Sequence, residues 1–265
     1  IDLDQFDCFD IGNGPGVHLG SQLPKPTPDP DATPWNFPSQ QYGSANRMIP
    51  LDFCEMNPFG VIRTDLNKLS IWDMRDPLQP ILLGAADVGA PFVVERFKNF
   101  ALVGKGTQMD IWEISTPSQM HVDMTLDLLS PVYDIDTIVP YAYATTASDI
   151  IVVDMRNPLG PSIINRVPNT ISANKAAIKD DLLFLISKTT NKMEIYSLAI
   201  PTNLQKLSTF QTRTSSVDVE VQDNFVYLAE NQGIEVVNIS DPKNPIQVNW
   251  IPVASQEARR NNPRS

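Results

Sequence analysis

A segment that recurs about every forty residues constrains the fold of this chain more than any other feature. Each copy is an apolar run followed by a loop that closes on proline. The five closing prolines are Pro77, Pro117, Pro158, Pro201 and Pro242, at spacings of 40, 41, 43 and 41 residues. Five copies at a nearly constant period predict a repeat architecture rather than one continuous core.

The fifth copy shows the internal plan of the repeat most clearly. Residues 217–221 alternate between apolar and polar side chains, as a half-buried strand does. Three further short runs, rich in β-branched and aromatic residues, follow at 225–229, 234–239 and 246–251. The third copy repeats this plan. The sequence therefore predicts four short antiparallel strands in each copy.

Four antiparallel strands per forty residues are the unit of a β-propeller blade. One such sheet cannot cover both of its faces, so each blade must pack against like neighbours, and ring closure removes the exposed ends. We therefore predict an all-β fold, a β-propeller of about five four-stranded blades over residues 51–253. A β-solenoid or a stacked sandwich has the same strand content and stays open as an alternative.

The composition excludes several classes of protein. The chain has 23 prolines and 12 glycines among 265 residues, and proline interrupts helices, so a long-helix protein is excluded. No apolar run is long enough to span a membrane as a helix. The formal net charge of −11 argues against nucleic acid as a partner, because phosphate binding requires clustered basic residues.

The two ends of the chain lie outside the regular pattern. Residues 1–50 read as an irregular N-terminal arm rich in proline and glycine, with a polyproline-like tract at 24–30. If this segment contributes a degenerate blade, the count rises to six. Trp35 and Phe37 on the arm are candidate interface anchors, since tryptophan is common at binding hot spots, or they attach the arm to the propeller. Residues 254–265 read as an exposed tail.

Cys8 and Cys54 are the only cysteines. Their spacing fits neither a zinc site nor a CxxC redox motif. They form either a disulfide that ties the arm to the propeller, which implies an oxidising compartment, or two free thiols.

One position of the predicted first strands carries carboxylates in four of the five repeats. The residues are Glu55, Glu95, Asp136 and Glu220, with Ala177 at this position in the fourth repeat. Because the first strand of a blade lines the axial channel, these side chains form an acidic ring in the predicted fold. The ring either coordinates a hard cation such as Ca²⁺ or accepts hydrogen bonds from the backbone of neighbouring blades. Lys175, two residues before Ala177, weakens the cation interpretation.

The sequence offers no convincing catalytic set. The only histidines are His18, in a glycine-rich loop, and His121, in a predicted outer strand. The chain has neither a GxSxG nucleophile elbow nor a CxxCH haem motif. We therefore predict no catalytic residues and no bound cofactor apart from the Ca²⁺ alternative.

The third strand and its loop resemble the LVIVD repeat, in which an apolar run ends in Asp and precedes a Ser/Asp-Pro loop. The best matches are Ile-Val-Val-Asp-Met at 151–155 and Glu-Val-Val-Asn-Ile-Ser-Asp-Pro at 235–242. The aromatic second strands at 141–144 and 225–229 are also similar to that family. The fourth repeat departs from the pattern, with Ser197 at the Asp position. The resemblance implies a β-propeller, usually secreted or on the cell surface, and it brings no catalytic residues.

These observations favour a non-enzymatic propeller that is extracellular, periplasmic or on the cell surface. Its expected role is that of a scaffold that binds a protein partner or supports a larger assembly, with attachment to the envelope only through that partner. The alternative is a ligand-binding or enzymatic propeller with a site at the channel mouth, with or without a structural cation.

Overall fold

The computed structural model describes the backbone of residues 48–53 and 57–65, and both backbone and side chains of residues 67–73 and 78–252. This part of the chain contains twenty strands in five separate four-stranded sheets. Its one helical element is a single 3₁₀ turn, Pro117–Gln119. The predicted all-β class and the five four-stranded sheets are confirmed.

In every sheet the strands lie in chain order, and each strand is antiparallel to the next. Blade 1 contains β1 Met48–Phe53, β2 Asn57–Asp65, β3 Lys68–Asp73 and β4 Ile81–Asp87. Blade 2 contains β5 Val93–Phe97, β6 Phe100–Lys105, β7 Gln108–Glu113 and β8 His121–Asp127. Blade 3 contains β9 Val132–Ile138, β10 Tyr141–Thr146, β11 Asp149–Asp154 and β12 Ser162–Pro168. Blade 4 contains β13 Lys175–Lys179, β14 Leu182–Ser187, β15 Lys192–Ser197 and β16 Gln205–Gln211. Blade 5 contains β17 Ser216–Gln222, β18 Phe225–Glu230, β19 Gly233–Asn238 and β20 Ile246–Pro252.

The third and fourth strands of every blade contain a register shift at the same place. In blade 2 it falls between Ile111 and Trp112, and the equivalent residue pairs carry it in the other four blades. A bulge of this kind bends a strand and increases its twist. Its recurrence shows that the five repeats share one geometry.

The last residue of the third strand explains the Asp of the repeat pattern. The side chain of Asp154 accepts a hydrogen bond from the backbone N–H of Arg156 at 3.0 Å, and Asn238 accepts one from Ser240 at 2.8 Å. Ser197 accepts the equivalent bond from Ala199 at 3.3 Å. A short polar side chain here shapes the start of the loop. Serine in the fourth repeat therefore keeps the function of the aspartate.

The closing prolines join consecutive blades. The side chain of Asn165 on β12 donates to the carbonyl oxygen of Pro201 at 3.3 Å, and Ser208 on β16 donates to that of Pro242 at 2.7 Å. In blade 1 the equivalent position is Gly84, where a Cβ atom would overlap the carbonyl oxygen of Pro117. The proline loop of each of these blades thus rests on the fourth strand of the preceding blade.

The hydrophobic core is divided among the blade interfaces. Four clusters of buried apolar side chains lie between blades 1 and 2, 2 and 3, 3 and 4, and 4 and 5. Within the described residues no comparable cluster joins blade 5 to blade 1. Each blade therefore has one face turned toward the next blade in the chain, which we call its forward face.

The forward face of blade 5 is the one that no later blade covers in this part of the structure. At the second residue of the third strand, Leu69, Met109, Ile150 and Met193 are at most 1% exposed, whereas Ile234 is 38% exposed. The equivalent pattern occurs on the second strand, where Tyr143 and Phe184 are buried and Tyr227 is half-buried. Ring closure at this face stays a prediction.

Candidate functional site

The predicted alignment of the first-strand carboxylates is correct for the three that the structure describes. Glu95 lies opposite Leu102, Asp136 opposite Tyr143, and Glu220 opposite Tyr227, so the three occupy one register position. Ala177 holds the same position opposite Phe184. Glu55 lies outside the described residues.

These carboxylates have different surroundings. Asp136 is buried, Glu95 is half-buried and Glu220 is exposed. Among the residues that the structure describes, no group of three or more histidine, cysteine, aspartate or glutamate residues is arranged to hold a metal ion. The cation site that includes Glu55 therefore stays a prediction.

The neighbouring carboxylate Asp134 illustrates how a blade uses a buried acid. Its Oδ2 accepts a hydrogen bond from the backbone N–H of Ala176 at 3.0 Å, and its Oδ1 lies 3.6 Å from Nζ of Lys175. Both partners belong to β13 of the next blade. Asp134 therefore links blades 3 and 4. The sequence analysis gave this role, hydrogen bonding to the backbone of a neighbouring blade, as one alternative for the acidic ring of first-strand carboxylates.

A second set of buried acids lies on the third strands, which the sequence reasoning missed. Asp110, Glu194 and Glu235 occupy one register position of β7, β15 and β19, and each is at most 2% exposed. Thr125 donates to Asp110 at 2.6 Å, and Lys105 forms an ion pair with the same carboxylate. The alternating pattern of the third strands, apolar-acidic-apolar, was the available signal.

Glu194 is held by four hydrogen-bonding side chains. Tyr196 donates to Oε2 at 2.9 Å and Lys206 to Oε1 at 3.0 Å, while Thr170 and Thr209 lie at 3.2 and 3.4 Å from Oε1. Burial and the nearby carboxylate raise the pKa of the Tyr196 phenol above its usual range. The carboxylate is therefore fully engaged within the blade.

Glu235 in blade 5 has another carboxyl group as its neighbour. Its Oε2 accepts from the backbone N–H of Arg213 at 2.9 Å. The pKa of Glu235 is raised to about 7, chiefly by burial and also by its neighbour Glu230, against the lowering effect of the Arg213 N–H. Glu230 itself accepts from the backbone and hydroxyl of Thr214 at 3.0 and 2.7 Å. The two buried carboxyl groups thus lie side by side where β18 turns into β19.

His121 is exposed at the start of β8, the fourth strand predicted for it. A hydrogen bond with the carbonyl of Gln119 at 3.0 Å raises the pKa of its imidazole, with Asp123 at 3.1 Å as a further cause. His18, the arm residues Trp35 and Phe37, and the cysteines Cys8 and Cys54 lie outside the described residues.

A pocket of about 330 Å³ opens between blades 3 and 4. Its lining includes Ile138, Tyr141, Tyr143, Asp181, Leu198 and Pro201. Tyr143 and Leu198 are buried, whereas Asp181 is exposed. Burial raises the pKa of Tyr143 to about 12, helped by the nearby Tyr141 and Asp181. The sequence pattern placed both tyrosines in a second strand. It gave no indication that they line a pocket, because the opposite wall comes from the next blade.

This pocket lies at the end of the blades where the proline loops join third to fourth strands, which we call the proline-loop end. Large apolar side chains are exposed there: Leu78 at 78%, Leu159 at 59%, Ile200 at 56% and Val139 at 55%. They lie on loops of blades 1, 3 and 4. The end that carries the pocket therefore also carries apolar surface contributed by several blades.

The sequence between 214 and 250 matches the family model described as the LVIVD repeat. These residues are an LVIVD repeat. They comprise β17 to β19 and most of β20, so one family repeat corresponds to one blade of this structure. The recognition drawn from the third-strand motif is confirmed.

Solved structures share the fold. A functionally unknown protein from Desulfotomaculum acetoxidans has a TM-score of 0.67 at 11% identity, covering 77% of this chain and 69% of that one. A candidate 6-phosphogluconolactonase from Bacteroides fragilis has a TM-score of 0.65 at 9% identity, covering 80% and 71%. Hsv2 from Kluyveromyces lactis has a TM-score of 0.54 at 11% identity, covering 73% and 60%.

At such low identity these likenesses establish the fold alone, which is a β-propeller, and the chain spans less than two thirds of the length of Hsv2. The sequence has no significant match among curated proteins. Among the described residues, no helix has the length and apolar character needed to cross a membrane.

Proposed function

We propose that this LVIVD-repeat propeller is a non-enzymatic binding platform that docks a protein partner at its proline-loop end. The observation that carries the proposal is the exposure of Leu78, Leu159, Ile200 and Val139 on loops of three blades at the end that also holds the pocket. The opposite end exposes Leu129 and Phe92 on the links between blades. Apolar side chains grouped at one end of a protein are typical of a docking surface.

The loops carry this surface on a rigid base. Leu159 and Ile200 follow third strands whose last residues, Asp154 and Ser197, fix the start of the loop by hydrogen bonds. The closing proline Pro201 is in turn bonded to the preceding blade. Loops that are fixed in this way lose little conformational entropy on binding.

The buried acids support a structural rather than a catalytic role for the polar groups in the blades. Glu194 is surrounded by its own hydrogen-bond donors, and Glu230 and Glu235 are at most 6% exposed. A general acid or base must reach a substrate atom within hydrogen-bonding distance. These carboxyl groups hold strands and turns together instead.

The location outside the cytoplasm, or at the cell surface, belongs to the same proposal. Its support is the likeness to the LVIVD repeat. Fractionation of the native source with an antibody against the chain is the direct test, and a purely cytoplasmic signal would contradict this part.

Site-specific photo-cross-linking tests the docking surface. A photoreactive residue is placed at Leu159 or Ile200, and at Val122, which is 45% exposed on the outer strand β8. The three proteins are irradiated in extracts of the native source. We expect one discrete adduct from the two proline-loop positions and none from Val122. Adducts of equal yield at all three positions, or at none, would overturn the proposal.

A further inference from the structure

The pocket between blades 3 and 4 has a composition that selects a particular chemical group. Its walls are hydrocarbon from Ile138, Leu198 and Pro201, and its polar lining consists of the phenols of Tyr141 and Tyr143 and the carboxylate of Asp181. Among the residues that the structure describes, no lysine or arginine lines it. The one charged residue in this described lining, Asp181, is therefore negative.

The backbone of Asp181 is held at the rim of the pocket, and its side chain is exposed there. The backbone carbonyl of Asp181 accepts a hydrogen bond from the N–H of Leu198 at 2.7 Å, which fixes the backbone of this residue beside another residue that lines the pocket. Within the described part of the chain, no ion pair is formed by its side chain. An exposed carboxylate beside two aromatic rings is an arrangement that attracts a cation.

The structure already contains a cation at the outer side of Tyr141. The guanidinium of Arg156 lies 5.6 Å from the centre of that ring, and its Nη2 donates to the Tyr141 hydroxyl at 2.7 Å. Asp154 lies 3.5 Å from the same guanidinium and offsets its charge. The Tyr141 oxygen keeps a second lone pair that can accept a hydrogen bond from an ammonium group, which is a donor only. The negative net charge of the chain adds a long-range attraction for cations.

We propose that this pocket binds an aliphatic ammonium group of the lysine type, with its stem on Ile138, Leu198 and Pro201 and its head beside Asp181 and the tyrosine rings. A volume of about 330 Å³ is at the small end of ligand pockets, which suits one extended side chain. This inference rests on the proposed docking function where the ammonium group is a lysine of the protein partner. A free alkylamine has the same chemistry.

Titration of the intact protein with n-pentylammonium, followed by NMR or calorimetry, tests the chemistry of the pocket. The neutral probe n-pentanol controls for the apolar stem. We expect Asp181→Asn to weaken ammonium binding about threefold to fivefold, as for an exposed ion pair, and added salt to weaken it as well. Asp180→Asn is the matched control, because Asp180 is exposed and adjacent but does not line the pocket, and it should leave binding unchanged.

Equal binding of the two probes, or an unchanged affinity in Asp181→Asn, would overturn the proposal. The cross-linking described above separates the two inferences. Adducts at Leu159 without ammonium binding would leave the platform standing and refute the pocket. Ammonium binding without adducts would refute the platform and identify a site for a free amine. If Asp181→Asn reduces the yield of the adducts, the ammonium group belongs to the protein partner.

Discussion

Blades 4 and 5 have the same strand order, the same bulge and the same loop geometry, but within the described residues only blade 4 is covered on both faces. Phe184 and Met193 on the forward face of blade 4 are fully buried, whereas Ile234 on blade 5 is 38% exposed. The residues differ little in polarity. Burial in this fold is therefore decided by the neighbouring blade and not by the sequence of the strand alone.

The largest expected difference concerns the forward faces. Phe184→Ala should lower the free energy of unfolding by about 3–5 kcal/mol, because it leaves a cavity between blades 4 and 5. Ile234→Ala should cost less than about 1 kcal/mol, since its side chain is partly in water already. Urea denaturation measures both. Equal losses would show that a further element covers blade 5.

The third-strand acids of the two blades should respond in opposite directions. Glu194→Gln removes the charge that Lys206 and Tyr196 bind, and we expect a loss of about 2 kcal/mol at pH 7. Glu235→Gln keeps the hydrogen bonds to Glu230 and Arg213 without the repulsion of two carboxylates. The Glu235→Gln substitution should therefore raise the midpoint temperature of thermal unfolding at pH 8. Destabilisation by both substitutions would contradict the assignment.

The free energy of unfolding should depend on pH through the titration of Glu235. Its pKa is about 7 in the folded protein and 4.5 in the reference state. The folded state therefore retains a proton that the unfolded chain has released, and this contribution to stability is complete below pH 4.5 and lost as the pH rises through 7. We expect the loss to be about 1–3 kcal/mol in the native protein and to be absent in Glu235→Gln.

The smallest expected difference concerns the fourth strands. Ser208→Ala removes the hydrogen bond to the carbonyl of Pro242 in the next blade, at a cost of about 1 kcal/mol. Asn249 occupies the equivalent place in blade 5, but its side chain accepts a bond from its neighbour Trp250 instead. Asn249→Ala should change the denaturation midpoint little. A cost similar to that of Ser208→Ala would indicate a partner for Asn249 that the described residues do not contain.

The sequence was sufficient for the blades because each strand leaves a local signal. The alternation at 217–221 and the proline period predicted the sheets and even the register of Glu95, Asp136 and Glu220. The ion pair of Asp134 with Lys175 was beyond such reasoning, because it crosses from one blade to the next.

The pocket was unpredictable for the same reason. Tyr141 and Asp181 are forty residues apart in the chain, and only the packing of blades 3 and 4 brings them to one rim. The roles of Trp35, Phe37, Cys8 and Cys54 stay predictions, since these residues lie outside the described part of the structure.

The stepwise order of the sheets has a consequence for synthesis on the ribosome. Every sheet is complete before the first residue of the following one is made, and it meets its neighbour across a link of only a few residues. During synthesis the forward face of the most recent blade is therefore exposed to solvent. It becomes buried when the next forty residues emerge and fold against it. If translation stalls after β16, the side chains of Phe184, Ile186 and Ile195 stay exposed to solvent. This apolar surface would then be available to bind a chaperone or to aggregate with another nascent copy.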